Sequence, residues 1–362
     1  MKNILSNVIV IIQRSNGDVF FANSLIQNLK NNFPYLKIDL LVNDDTIQIA
    51  KLISNISQII TFSYKEKSKN RWAQEKKILK RIFRKYDLSI NLTASDRSVL
   101  YSWMASKNSI SAIEKNSTKS WWKKILIRNY YFFDPEKHII ENNLTTLDIL
   151  GLRFQKEVIE ISVSDKVLEK ISEELKKLNV DKFIIFHPSA QYDYKIYPQE
   201  LRKKLLNLLK KVNIPIIVTG GTSKIDLNIK DSIPNVENII NLIGETSIEE
   251  YIALSHLSIG YIGMDTLNMH IAASQNKRIF AIYGPTNLKM WSPWSNISMT
   301  CAAKDKYINE YENITIFQAD LPCVACGKAG CNDQHDESIC LNHINPELVY
   351  QKIQNFINDQ AL

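Results

Sequence analysis

Short apolar runs rich in β-branched residues alternate with amphipathic stretches along most of this chain, and that rhythm narrows the folds open to it. Val8-Ile9-Val10-Ile11-Ile12 is apolar at every position, as a strand buried on both faces must be. From there the pattern predicts strand 7–13, helix 19–31, strand 37–42, helix 45–54 and strand 58–62. A long basic helix near Trp72–Tyr86 follows, then strand 88–92 and a helix from about Ser98. The segment 115–138, with Trp121-Trp122-Lys123-Lys124, interrupts the rhythm, and the charged helical stretch 165–178 reads as a connector.

The rhythm then restarts. Strands are expected at 183–186, 214–219, 238–242, 257–262 and 278–283, with helices at 199–212, 224–232, 247–255 and 269–275 between them. A last helix, 346–359, opens on Pro346, a residue suited to a first helical turn. With 362 residues the chain has room for two domains of about 100–200 residues. The expected fold class is α/β: two Rossmann-like, doubly wound domains facing an interdomain cleft, at 1–165 and 166–345, followed by helix 346–362. Ligands in such sheets bind beyond the carboxyl ends of the strands.

Several functional classes lose their warrant at this stage. No G-x-G-x-x-G follows the first strand and no G-x-x-x-x-G-K-[ST] occurs, which removes the usual dinucleotide and P-loop signatures. No apolar run approaches the ~20 residues of a membrane helix. Val8–Ile12 is followed by Arg14 and Asp18 rather than by a small-residue cleavage site, so a signal peptide is not expected. The net charge of +7 suits a phosphorylated substrate or an anionic surface. Nucleic acid is not the expected partner, because no aromatic-rich binding motif accompanies the charge.

Three polar blocks at predicted strand ends carry the candidate chemistry. In Arg14-Ser15-Asn16-Gly17-Asp18-Val19, Asp18 is either a helix cap or the group that takes a proton from an attacking hydroxyl. In His187-Pro188-Ser189-Ala190-Gln191-Tyr192-Asp193-Tyr194-Lys195, the lysine is either solvated or placed to neutralise a diphosphate leaving group. In Gly263-Met264-Asp265-Thr266-Leu267-Asn268-Met269-His270, Asp265 and Thr266 cap a helix, bind a sugar hydroxyl, or both. His270 lies one turn inside that helix, where a packed residue is the plainer reading. Glycine is scarce, ten in all, and most of it sits at strand ends of the second half, as at Gly220 and Gly263, where it lets a backbone approach phosphate oxygens.

Together these blocks resemble glycosyltransferase family 9, the bacterial ADP-heptose:lipopolysaccharide heptosyltransferases. R-x-x-G-D-V at 14–19, H-P-S-A with Y-K-x-Y-P at 187–198 and D-T-x-x-M-H-x-A-A at 265–273 follow the family order and spacing. So do Leu242-Ile243-Gly244-Glu245-Thr246-Ser247 and Tyr283-Gly284-Pro285-Thr286-Asn287. The resemblance implies a GT-B fold and an inverting transfer of heptose from ADP-heptose to the lipopolysaccharide or lipooligosaccharide inner core, with no cofactor needed for catalysis. It implies Asp18 as general base and Lys195 as partner of the phosphates. The donor site would comprise Ser189, Lys195, Gly220, Gly263, Asp265, Thr266 and His270. The enzyme would work in the cytoplasm, peripheral to the inner membrane's inner face. One departure stands out: Leu267-Asn268 occupies the place where the family usually has glycine after Asp-Thr. It keeps two rivals open, a GT-B transferase for another nucleotide sugar and a catalytically silent sugar-nucleotide-binding protein.

Two features lie outside those blocks. Cys323, Cys326, Cys331 and Cys340 are spaced as C-x2-C-x4-C-x8-C, which suits either a four-thiolate structural zinc or iron site or a reduced, metal-free loop. His335 and His343 are spare ligands, and Cys301 is a bystander. The basic helix 65–85, with Arg14, Lys123 and Lys124, reads either as a solvated face or as a surface for acceptor and anionic lipid.

Overall fold

The computed structural model describes residues 5–115, 117–154, 159 and 161–360. The chain divides into two compact units, Met1–Glu160 and Ile161–Leu362.

The first unit is built on a six-stranded, all-parallel sheet. Its strands are β1 (Asn7–Ile12), β2 (Lys37–Asn43), β3 (Gln58–Phe62), β4 (Leu88–Asn91), β5 (Ser109–Ile113) and β6 (Asn129–Phe132), in the order β3-β2-β1-β4-β5-β6. Val8 to Ile12 are at most 1% exposed, so the apolar run at the centre of the sheet is covered on both faces. Each such side chain contributes about 1.5–3 kcal/mol of burial. The stretch expected as one helix after β1 is two, Asn16–Phe21 and Asn23–Asn32, joined at Ala22. The basic helix spans Tyr64–Ile82 and is kinked at Asn70, whose φ and ψ are −153° and 84°. The segment 115–138 does not break the pattern: it contains helix Ser117–Leu126 and β6, and β5 precedes it.

The second unit repeats the plan. Its strands are β7 (Ile184–His187), β8 (Ile216–Val218), β9 (Ile239–Asn241), β10 (Gly260–Met264), β11 (Arg278–Tyr283), β12 (Tyr307–Tyr311) and β13 (Ile314–Gln318). The order β12-β13-β11-β10-β7-β8-β9 is that of the first sheet read from the other edge, with β12 added antiparallel beyond β13. The hairpin of β12 and β13 lies past the last strand expected from the sequence. Helix Asp165–Lys177 belongs to this unit and is tied to helix Ile248–Leu257 by Lys170 and Glu250, 2.5 Å apart. Helix Pro346–Asp359 buries Val349, Ile353 and Ile357 in the core under β7, β8, β10 and β11.

In both sheets the chain order reverses at a defined point, between β1 and β4 in one and between β7 and β10 in the other. Crevices at such points, outside the carboxyl ends of the strands, are where doubly wound sheets bind ligands. The β7–β10 seam is tight: a Cβ at Gly263 would stand 2.5 Å from the His187 carbonyl oxygen and 2.6 Å from the Tyr261 hydroxyl. A Cβ at Gly220 would meet Asp226 and Ile243 side-chain atoms at 3.1 Å. Backbone packing therefore requires glycine at 263, whereas Gly220 meets only side-chain atoms.

Candidate functional site

In the second unit, three neighbouring strand ends supply one polar cluster. Asp265 follows β10, Thr286 follows β11, and Lys195 closes a three-residue 3-10 turn, Asp193–Lys195, in the loop after β7. One carboxylate oxygen of Asp265 accepts from Lys195 Nζ at 2.6 Å and from Thr286 Oγ1 at 2.6 Å. Asp265 is buried, and the Lys195 side chain keeps 26% of its surface. Burial pushes the Asp265 carboxyl up, but the Lys195 ammonium and the two hydrogen bonds outweigh it and hold the group below the usual carboxylate range. For Lys195 burial acts downward and the Asp265 charge prevails, leaving its pKa raised. The cluster thus keeps a partly exposed cation in place over a fixed anion.

Around it lies a second network that the sequence reading did not include in the site. Buried His187 places Nδ1 2.9 Å from Thr219 Oγ1 and 3.4 Å from Asn268 Nδ2. Asn268 in turn accepts a bond from the Tyr251 hydroxyl at its carbonyl, 3.0 Å away. Burial lowers the His187 pKa to about 4, so the ring is neutral at pH 7. Ser189 is buried between His187 Nε2, 3.5 Å away, and the Asp226 carboxylate, so its hydroxyl is committed to protein partners. Thr266 stands at the N-cap of helix Leu267–Ser274 without using its hydroxyl as a cap. His270 is buried one turn in, its pKa lowered to about 4 by burial against the opposing pull of Asp265. Thr286 was legible only as part of the Gly-Pro-Thr-Asn block, and Asn268 only as a departure from the family pattern.

In the first unit, Asp18 caps a helix with one oxygen and lies beside Arg14 with the other. Its Oδ2 accepts from Ser15 Oγ at 2.6 Å and from Ser15 N at 3.3 Å, securing the start of helix Asn16–Phe21. Its Oδ1 is buried with no aligned hydrogen-bond donor among the described residues, although Arg14 Nε lies 3.1 Å away. Arg14 also lies over the Phe133 ring, 5.6 Å from its centroid. Lys123 is not a surface group, contrary to its expected place in an exposed basic face. It is fully buried, and its ammonium reaches Ala94 O at 2.6 Å, Glu114 at 2.7 Å and Asp96 at 2.9 Å. A buried lysine needs such partners, and the run of Trp and Lys in the sequence concealed them. Lys124 lies beside the Phe132 ring at 5.2 Å, and Trp121 is 61% exposed.

Cys323, Cys326, Cys331 and Cys340 line a single cavity of about 130 Å³, together with Pro285, Leu321 and Ile339. Burial pushes the Cys340 thiol up to about 11, and the three neighbouring cysteines add to the effect. Soft sulfur donors around one cavity fit the chemistry of a thiophilic ion. As placed, however, no group of three His, Cys, Asp or Glu side chains among the described residues is arranged to hold a metal. His343 is exposed, and His335 faces tyrosines.

Two doubly wound sheets, one in each unit, with a polar rim of strand ends in the second, match the plan of the GT-B class of glycosyltransferases. Residues 76–318 match the model of glycosyltransferase family 9 (heptosyltransferase), and the chain belongs to that family. Lipopolysaccharide heptosyltransferase 3 of Escherichia coli K12 is 28% identical over 293 residues, spanning 78% of this chain and 83% of that protein. Among solved structures, E. coli heptosyltransferase WaaC with ADP-2-deoxy-2-fluoro heptose superposes with a TM-score of 0.70 at 15% identity, covering 96% of this chain and 99% of that one. The dodecameric, iron-containing heptosyltransferase TibC, in complex with ADP-D-β-D-heptose, gives a TM-score of 0.53 at 10% identity, covering 99% and 78%.

The ion pair makes a testable contribution to stability. Asp265 is depressed, so its share is present above the unfolded carboxylate pKa and disappears as pH falls through the lower folded value. Lys195 is raised, so its share is present below the unfolded lysine pKa and disappears as pH rises through the higher folded value. The pair's contribution is therefore complete from about pH 4 to about pH 10. Lys195→Ala should cost about 1–3 kcal/mol in denaturant titrations at neutral pH, and less toward pH 4, where the unpaired Asp265 is free to take up a proton. A cost that grows as the pH falls from 7 to 4 would contradict the assignment.

Proposed function

We propose that the chain is an inverting heptosyltransferase that moves heptose from ADP-heptose to the inner core of lipopolysaccharide or lipooligosaccharide. The observation that carries this reading is the Lys195–Asp265–Thr286 cluster at three strand ends of a family 9 chain. The names of its relatives and the nucleotide sugars in its structural neighbours support the choice of donor and acceptor.

In this reading Lys195 balances the negative charge that builds on the ADP diphosphate as the glycosidic bond breaks. Asp265 holds the ammonium in position beforehand, so little reorganisation accompanies the reaction. Asp18 takes the proton of the acceptor hydroxyl through Oδ1, the oxygen its helix cap leaves without an aligned donor. The acceptor oxygen attacks the anomeric carbon from the side opposite ADP, and configuration inverts. Asp265, Thr266 and His270 border the sugar and phosphates, while Ser189, Gly220 and Gly263 shape the strand ends behind them. Leu267 favours one rival, transfer from a different nucleotide sugar, because its bulk narrows the approach to the start of its helix.

Two subsidiary parts complete the reading. Cys323, Cys326, Cys331 and Cys340 would hold a structural zinc or iron, a role supported by their shared cavity and by iron in TibC. Such an ion supplies cross-linking and no step of the transfer. The enzyme works in the cytoplasm and meets the inner face of the inner membrane through helix Tyr64–Ile82, where Trp72 is 79% exposed beside Arg71, Lys76 and Lys77. Among the described residues no helix is long and apolar enough to cross a membrane.

Incubation with ADP-heptose and core-truncated acceptors, followed by mass spectrometry, should show addition of one heptose. Asp18→Asn should slow that transfer by about 10²–10⁴-fold with ADP affinity intact; near-normal turnover would leave Asp18 as a helix cap only. Elemental analysis of protein purified without chelator should find about one zinc or iron per chain, lost in Cys326→Ser. Metal-free protein of full stability would remove the ion from the account. Flotation with vesicles containing anionic lipid should recover the protein, and Trp72→Ala with Lys76→Gln and Lys77→Gln should abolish it. Equal recovery of that variant would exclude this helix as the contact.

A further inference from the structure

The turn that carries Lys195 has little of its own to hold it. None of its three residues, Asp193, Tyr194 and Lys195, is fully buried. Its backbone bonds are local, Lys195 N to Tyr192 O at 3.0 Å and Ile196 N to Asp193 O at 2.9 Å. The chain is anchored on either side of it, at buried Ser189 and Ala190 before and at Tyr197 after, whose hydroxyl donates to Ile344 O, while within the turn the Lys195 ammonium is held by Asp265. A diphosphate site requires its cation at a fixed position, so some other part of the protein has to steady this turn.

That part comes from the cysteine segment. Tyr192 and Tyr194 stack on each other, rings 5.3 Å apart and 12° from parallel. His335 packs against both, with centroids 6.0 Å from Tyr192 and 5.9 Å from Tyr194. His335 is presented by a strained piece of backbone: its φ is +64°, and its amide donates to Ala329 O at 2.7 Å. The same loop is fixed at Gly330, where φ is +83° and a Cβ would lie 2.4 Å from Asp336 O. It is fixed again at Cys331, whose sulfur accepts from Ile339 N at 3.1 Å. On the other side of the cluster, Gly327 N donates to Pro285 O at 2.9 Å, and the next residue, Thr286, bonds Asp265. The cysteine loop therefore touches both members of the Lys195–Asp265 pair through a single intervening residue or stack.

We infer that the cysteine loop is the clamp of the donor site, with His335 as the positioning residue that holds the Tyr192–Tyr194 stack and thereby sets where Lys195 meets a sugar-nucleotide diphosphate. The inference rests on the reading of Lys195 as the diphosphate partner. It gives the cysteines a role beyond fold stability, since anything that loosens their loop also loosens the grip on the nucleotide. His335 touches no reacting atom, so its influence falls on donor binding and not on the chemical step.

The test uses the full chain, with His335→Ala, His335→Phe and Cys326→Ser beside the parent protein. Hydrogen exchange in the ligand-free state should show the amides of Lys195 and Ile196 exchanging faster in His335→Ala and Cys326→Ser. The aromatic ring of His335→Phe should restore protection. Calorimetry with ADP should show about 2–10-fold weaker binding in His335→Ala, the scale of a lost aromatic contact. Donor KM should rise with it while kcat stays unchanged. Unchanged exchange at Lys195 and Ile196 in His335→Ala overturns the clamp. So does faster exchange with ADP affinity equal to that of the parent. Faster exchange in His335→Ala, with a parent protein that itself binds no ADP, overturns the donor reading instead and leaves the hold of His335 on the turn standing.

Discussion

A carboxylate placed at a buried strand end is costly unless a charge or donors meet it, and Asp265 is met by both. Much of the second unit's rim follows from that requirement. β10 brings Asp265 to the edge of the sheet, β11 delivers Thr286 to the same oxygen, and the loop after β7 has to reach back far enough for Lys195 to close the pair. The strands can lie this close because Gly263 leaves the His187 carbonyl unobstructed. An electrostatic need at one residue thus sets the path of three connections, and the same arrangement leaves the lysine's outer face open to an anion.

The first unit resolves a comparable conflict differently. Asp18 answers to helix geometry with one oxygen, bonded to Ser15, while the other is buried without an aligned donor, 3.1 Å from Arg14 Nε. The sequence presented cap and base as alternatives, yet a carboxylate has enough acceptor positions for both. The rigid cap is also what would keep the second oxygen in a constant direction.

Legibility in the sequence varied with how local the determining forces are. Strand Gln58–Phe62, strand Arg278–Tyr283 and helix Pro346–Asp359 were read to the residue, because apolar periodicity and a first-turn proline mark them directly. β5 and β6 were missed: Ser109-Ile110-Ser111-Ala112-Ile113 is short and half polar, and Tyr130 to Phe132 follow a Trp- and Lys-rich helix that looked like an interruption. The hairpin of β12 and β13 turns at Glu312, a non-glycine residue with φ of 47°, which no turn signature announces. Lys123 illustrates the general obstacle at the site level. Whether a lysine is solvated or buried depends on Glu114, Asp96 and the Ala94 carbonyl, and sequence spacing does not reveal that they converge. Asp18, Lys195 and Asp265 were visible as motif residues, whereas His335 acquires meaning only once two distant loops meet.

The order of the first sheet also has a consequence for how the chain emerges from the ribosome. β1 lies between β2 and β4, and its pairing with β4 joins Val8 to Leu88, residues separated by eighty positions. At about 5–20 residues per second, β1 is complete roughly 4–16 seconds before that neighbour has been made. During the interval the most apolar strand of the unit has one open edge, a natural template for unwanted pairing. The second unit repeats the delay between β7 and β10, so the chain twice passes through a nascent state in which its central strand depends on temporary cover.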